Sequence, residues 1–298
     1  GIYYPDKTRV GWWKNGYPEY FAKVLNAPNW IGIDVVIDGE KLDLFTCKIH
    51  NFKRILDMKR GLLIREFVVT MNNGKSISVS STRFVSMSRP EAGAIKYSII
   101  PSEGCEIRFS SYITSDVKNK DANYDEVFWN TIDTQIDNVN SLLIAETKKT
   151  SFQLAVGSSI FLYKNGEQQT IIPACEHKSL KLSHIVMVKA KANEEITLYK
   201  LASIASSLNH KPEELEKRTK DNLSIYRILG FDKLLDEHVR IWEEKWSTSD
   251  IVIDGDVGAQ QGIRFNIFQL NQTYTGADSR LNIGPKGFTG EKYGGSTY

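Results

Sequence analysis

From Trp30 to about Lys200 the chain is a succession of short β-branched runs separated by turn dipeptides, at the spacing of antiparallel sheets and without a helical period. Ile31 to Ile37 runs into Asp38-Gly39, Leu62 to Met71 into Asn73-Gly74, and Ser159 to Tyr163 into Asn165-Gly166. Each pair tolerates the positive φ angles of a tight hairpin. Ser76-Ile77-Ser78-Val79-Ser80 alternates strictly, which predicts one buried face and one hydroxylated, solvated face. Further strands are expected at 94–100, 105–113, 184–190 and 195–200. Many antiparallel strands with no helix between them require a large β-sandwich.

The pattern changes near Asn209. Pro212, with Glu213 and Glu214 behind it, opens a helix in the orientation that its dipole favours. Gly230 interrupts this helix, and beyond it Leu235, Val239, Trp242 and Trp246 share one face. Charged residues fill the opposite face, so the pair of helices reads as a connector packed against a neighbouring domain. A further helix is predicted over 257–274 with Ile263, Ile267, Leu270 and Tyr274 as its apolar stripe. Its polar face is rich in amides (Gln260, Gln261, Asn266, Gln269, Asn271 and Gln272), and Arg264 is the one formal charge between Val257 and Thr275. Two readings stay open for it: an inner helix lining a polyol pocket, or a surface helix unusually rich in Gln and Asn.

The sequence has 298 residues and a formal net charge of +2, from 38 basic and 36 acidic side chains. That balance gives no electrostatic reason to expect nucleic acid or an anionic membrane as a partner. No apolar run is long enough to span a bilayer, and no basic segment followed by an apolar core marks export. Cys47, Cys105 and Cys175 are odd in number and far apart, which suits a reducing compartment and inert thiols better than disulfides. His50 and His177 lie near Cys47 and Cys175, yet neither pair has the second pair that a zinc site needs, so no metal is expected. Eight aromatics crowd the first thirty residues: Tyr3, Tyr4, Trp12, Trp13, Tyr17, Tyr20, Phe21 and Trp30. They suit a sugar-stacking platform or, more simply, a core or subunit contact.

The richest site chemistry sits at the end of the sequence. Gly287, Gly290, Gly294 and Gly295 shape a loop that carries Lys292, Tyr293, Thr297 and Tyr298, with Lys286 just before it. Glycines let backbone N–H groups approach an anion, and lysines neutralise it. The loop has no GK[ST] signature and no βαβ unit around it, which excludes a nucleotide triphosphate site of that type. Two readings stay open: Lys286, Lys292, Tyr293, Thr297 and Tyr298 lie near sugar and phosphate, with Tyr293 or Tyr298 as a stacking face, or Lys286 and Lys292 are solvated surface charges. Glu291 has no partner carboxylate and is not assigned as a catalytic acid. Asp254, Asp256 and Asp278 read as turn residues.

Ser249-Asp250-Ile251, Gly255-Asp256 and Gln260-Gln261-Gly262-Ile263-Arg264-Phe265-Asn266-Ile267-Phe268-Gln269-Leu270, continuing from Gly287 to Tyr298, resemble the phosphorylases of glycoside hydrolase family 65. Asn15-Gly16-Tyr17-Pro18-Glu19-Tyr20-Phe21-Ala22-Lys23 and Ile37-Asp38-Gly39-Glu40 fit the same family. The resemblance implies an all-β region followed by α: a large antiparallel sandwich of the super-sandwich kind, a helical linker and the first part of an (α/α)6 barrel. The corresponding domains are 1–208 (a sandwich lacking its first strands), 209–248 (linker) and 249–298 (start of the catalytic barrel).

It also implies inverting phosphorolysis of maltose by inorganic phosphate to β-glucose 1-phosphate and glucose, in a cytoplasmic homodimer with no organic cofactor. In the family, Trp-Asp-Thr-Glu would follow Tyr298, and the catalytic glutamate lies further on. The chain is thus expected to be an inactive fragment, with Gly1 in place of Met suggesting trimming at the other end. Relatives acting on trehalose or kojibiose carry a Gly-His-aromatic-Phe ending, whereas Gly295-Ser296-Thr297-Tyr298 tilts the choice to maltose. The alternatives are a family 65 hydrolase, a phosphorylase for kojibiose, nigerose or trehalose, and a noncatalytic carbohydrate-binding or assembly module.

Overall fold

The structure is a computed structural model that describes residues 2–7, 20–118 and 127–280, with side chains from residue 25 on. Its strands in chain order are β1 (Ile2–Lys7), β2 (Tyr20–Leu25), β3 (Ile33–Ile37), β4 (Glu40–Lys41), β5 (Lys48–Asp57), β6 (Leu62–Thr70), β7 (Ser76–Val85) and β8 (Ala92–Pro101). They continue as β9 (Cys105–Thr114), β10 (Trp129–Asp137), β11 (Asn140–Thr147), β12 (Gln153–Lys164), β13 (Glu167–Gln169), β14 (Ala174–Lys178), β15 (Lys181–Ala190) and β16 (Ile196–Ser206). Every pairing among them is antiparallel. A nine-stranded sheet runs β10-β11-β12-β16-β8-β7-β6-β5, with β13 added to β12, and a five-stranded sheet runs β14-β15-β9-β3-β4. β1 and β2 form a separate ribbon.

The two larger sheets meet in a core built on the period of two. Phe67, Val69, Ile77, Val79, Ile99 and Leu198 face Val35, Ile37, Ile107, Phe109 and Val186 across it. Ser78 and Ser80 point outward, as the strict alternation predicts. A lysine is drawn into this interior. Lys200 has no exposed surface, and its Nζ donates to the carbonyls of Tyr112 (2.7 Å) and Gly32 (3.1 Å), tying the nine-stranded sheet to the other one. Burial, and secondarily the charge of Lys181, lowers its ammonium to about 7.

Two of the three turn dipeptides adopt the geometry expected of them. Asp38-Gly39 and Asn165-Gly166 have positive φ at both residues and close β3–β4 and β12–β13 as two-residue turns. At Asn73-Gly74 only the glycine has positive φ, because the connection from Thr70 to Ser76 is longer. The strands β1, β2, β5, β10, β11 and β14 go beyond the sequence reading. β5 is exposed along nearly all its length and β11 is buried along most of its own, so neither shows an alternation of polarity.

The outer face of the nine-stranded sheet carries the helical part. A 3₁₀ turn at Pro212–Glu214 leads into α1 (Leu215–Ser249), which kinks at Gly230, where φ is 73°. The expected interruption therefore holds, and a residue with a Cβ would be strained there. Tyr226, Phe231 and Leu234 pack against Leu62, Phe84, Ala92, Ala94 and Leu201. The buried stripe is Phe231, Leu234, His238 and Trp242; Leu235, Val239 and Trp246 flank it at half burial, so the predicted face is rotated by one position. His238 accepts from the Met87 N–H at Nδ1, and its Nε2 lies 3.1 Å from the Gly61 carbonyl, which fixes a neutral imidazole with its proton on Nε2. At Gly61 an added Cβ would come within 2.0 Å of the Trp242 ring, so glycine is required for this close approach.

Candidate functional site

Lys286, Gly287, Gly290, Lys292, Tyr293, Gly294, Gly295, Thr297 and Tyr298 all lie outside the described residues. The structure does define the frame that leads to them. After α1, Asp250 takes an extended conformation, and Asp256 starts α2 (Val257–Thr273) by accepting a hydrogen bond from the Ala259 N–H at 2.9 Å. The intervening turn is held by the Gln260 amide, whose oxygen accepts from the Ile253 N–H and whose nitrogen donates to the Ile251 carbonyl, each at 2.8 Å. Arg264 closes a two-pronged fork on Asp250, with Nε and Nη2 at 2.8 and 2.7 Å from the carboxylate oxygens.

Packing joins this frame at one point. Phe268 is the buried side chain of α2 and stacks on Trp242 with ring centroids 4.8 Å apart. Leu270 is 60% exposed, while Ile263, Ile267 and Tyr274 are half-buried. Among the described residues, α2 is therefore a surface helix, and the apolar stripe assigned to it is only partly covered. Arg280 anchors the far end. It donates to the Leu208 carbonyl at 2.8 Å and to Asn209 Oδ1 at 2.6 Å while gripping Asp278 through Nε and Nη2. The last described residue is thereby bonded to the junction between β16 and the connector.

The carboxylates of this frame are electrostatic struts. The hydrogen bond from Arg280 holds Asp278 at about 2, and the one from Arg264 holds Asp250 below the usual carboxylate range. Both are ionised at neutral pH, so neither can donate a proton to a leaving group. No group of three or more His, Cys, Asp or Glu among the described residues could hold a metal ion.

Other sequence candidates resolve as packing. Trp30 is half-buried between two core clusters, and its ring lies so close to Gly93 that an added Cβ there would come within 2.7 Å. The side chains of the remaining N-terminal aromatics lie outside the described residues. His50 and His177 bond the hydroxyls of Thr70 and Thr134, at 2.6 and 2.7 Å. Cys47 is buried against the Met71 sulfur and Cys105 is also buried, whereas Cys175 is exposed, with partial burial and the charge of Asp137 pushing its thiol up. The sequence reading missed a group of three arginines, Arg54, Arg65 and Arg83, because only strand register brings them together.

Known proteins resemble the chain over its whole length. The profile of the glycosyl hydrolase family 65 N-terminal domain matches residues 1–245, and that of the family's central catalytic domain matches residues 264–298. A maltose phosphorylase of Bacillus subtilis (strain 168) is 40% identical over 100% of this chain and 39% of its own length. A kojibiose phosphorylase of Caldanaerobacter subterraneus subsp. tengcongensis is 29% identical over 93% of this chain and 37% of its own length. A solved structure of a candidate kojibiose phosphorylase from the human microbiome superposes with a TM-score of 0.84 at 24% identity, covering 93% of this chain and 36% of that one. The chain thus spans about two fifths of the length of the curated relatives it matches. With the N-terminal profile extending from the sandwich almost to the end of α1, the chain belongs to glycosyl hydrolase family 65.

Proposed function

We propose that the whole protein is an inverting disaccharide phosphorylase that converts maltose and inorganic phosphate to β-glucose 1-phosphate and glucose. In this reading a phosphate oxygen attacks the anomeric carbon from the face opposite the glycosidic oxygen. The C1–O bond breaks as a glutamic acid outside this chain protonates the departing oxygen, so phosphate takes the place of the activated water of an inverting hydrolase. Residues 1–208 form the sandwich, 209–248 the linker and 249–298 the first part of an (α/α)6 barrel. Lys286, Lys292, Tyr293, Thr297 and Tyr298 lie near sugar and phosphate, and Gly287, Gly290, Gly294 and Gly295 shape their loop. The protein works in the cytoplasm as a homodimer without an organic cofactor.

The 40% identity to a maltose phosphorylase over the whole chain carries the choice of substrate. The ending Gly295-Ser296-Thr297-Tyr298 supports it. The test is glucose release from maltose, with and without inorganic phosphate, by protein expressed from the uninterrupted gene, with the 298-residue chain assayed alongside. Phosphate-dependent release by the long form alone is the expected result. Release without phosphate would make the protein a hydrolase, and phosphate-dependent cleavage of kojibiose or trehalose in place of maltose would move the assignment within the family.

A further inference from the structure

Three arginines of the nine-stranded sheet stand together where the sandwich opens. Register sets Arg54 of β5 opposite Arg65 of β6, Arg65 opposite Ser81 of β7, and Ser81 opposite Tyr97 of β8. Arg83 lies two residues along β7 from Ser81 and so projects from the same face. With Tyr97 and Tyr112 these side chains line a cleft of about 430 Å³ between the two sheets, and its lining among the described residues includes no carboxylate. Among the described residues, Asp34 and Asp43 line an adjoining hollow that shares Arg65 and Tyr97, and their carboxylates lie 3.9 Å from Lys181 and 4.0 Å from Lys41.

Such an arrangement is unfavourable when empty. Like charges directly opposite on a sheet repel, and a buried donor without an acceptor carries its full desolvation penalty. Among the described residues, Arg65 Nε is buried and has no hydrogen-bond partner. Burial, and then the charges of Arg65 and Arg54, push the Arg83 guanidinium down. Burial also raises the Tyr97 hydroxyl to about 12, leaving it a neutral donor beside the guanidinium groups. One carboxylate fills a single guanidinium fork, whereas a tetrahedral dianion offers oxygens to several at once.

We propose that this cleft is a phosphate-binding site, in which Arg54, Arg65 and Arg83 hold either inorganic phosphate or the phosphate of a small sugar ester. Its volume falls in the range of about 300–1,000 Å³ typical of small-molecule sites, which leaves room for a monosaccharide beside the phosphate. The proposal does not rest on the phosphorolysis reading, since binding reports on it whether or not maltose is a substrate.

Isothermal titration of the full chain with inorganic phosphate and with glucose 6-phosphate, at an ionic strength fixed with chloride, tests the site. Saturable binding of at least one ligand is expected, with Arg65→Gln and Arg83→Gln each weakening it about tenfold or more. Saturation by the ester alone would identify a phosphorylated sugar as the source, and saturation by both would make free phosphate sufficient. The unliganded Arg83→Gln protein should melt no lower than the unaltered one, because the substitution removes repulsion. Arg54→Gln, at an exposed position, provides a variant whose folding is not at risk, and it too should weaken binding. Binding no stronger than that of chloride, or equal binding by all three variants, would overturn the proposal.

Discussion

The sandwich and α2 are stabilised by opposite means. In the sandwich, the central strands of the nine-stranded sheet are covered on both faces, by the five-stranded sheet on one side and by α1 on the other. Helix α2 buries one side chain, Phe268, and is otherwise held by an N-cap, an amide bridge and an arginine fork. Burial of apolar area contributes more and is non-directional, whereas caps and exposed ion pairs contribute little each but fix direction. Helix α2 is thus set in place by directional contacts, and the sandwich supplies the stability.

The sharpest way to break this contrast is to make the same change in both regions. Leu198→Ala removes a fully buried side chain from the inter-sheet core and is expected to destabilise by about 2–5 kcal/mol, seen as a lower denaturation midpoint. Leu270→Ala on α2, where the side chain is 60% exposed, should stay within about 0.5 kcal/mol. Comparable losses at the two positions would mean that α2 is packed as tightly as the sandwich.

A second, smaller effect lies within the core itself. The folded-state value of Lys200, about 7, is below the ordinary lysine value of 10.5. Below pH 7 the lysine is charged whether folded or unfolded, and the native state bears the whole penalty of burying it. Between pH 7 and 10.5 the unfolded chain holds the proton and the folded one does not, so stability rises with pH, at most by about 1.4 kcal/mol per unit. Denaturant titrations from pH 7 to 9 should show this slope, and Lys200→Met should remove it. An unchanged slope in the variant would place the titrating group elsewhere.

Most of the β architecture was legible because half-buried strands write their burial into alternation, as 76–80 does, and because Asp-Gly and Asn-Gly pairs mark turns by their φ preferences. The failures have identifiable physical causes. β5 is exposed almost throughout and β11 is largely buried, so neither carries a period of two. The stripe of α1 was displaced by one residue because His238, a polar side chain, occupies its centre and is satisfied there by the Met87 N–H and the Gly61 carbonyl. The arginine cleft was illegible for another reason: Arg54, Arg65 and Arg83 are far apart in sequence, and nothing short of strand register makes them neighbours. The final loop was read from residue chemistry alone and lies outside the described residues.

The smallest effect concerns α2 by itself. Asp256 accepts from the Ala259 N–H and satisfies one of the four amides that the start of a helix leaves unpaired. Replacing a cap of this kind with alanine costs about 1 kcal/mol. In a helix joined to the rest through Phe268 and Arg264, that loss should appear locally rather than in the global midpoint. Hydrogen exchange of the first amides of α2 is expected to quicken about fivefold in Asp256→Ala, with little change in the sandwich and almost none anywhere in Asp256→Asn, which keeps an acceptor at the cap. If the sandwich amides quickened in parallel, α2 would belong to the same cooperative unit, and its directional contacts would be supporting the core.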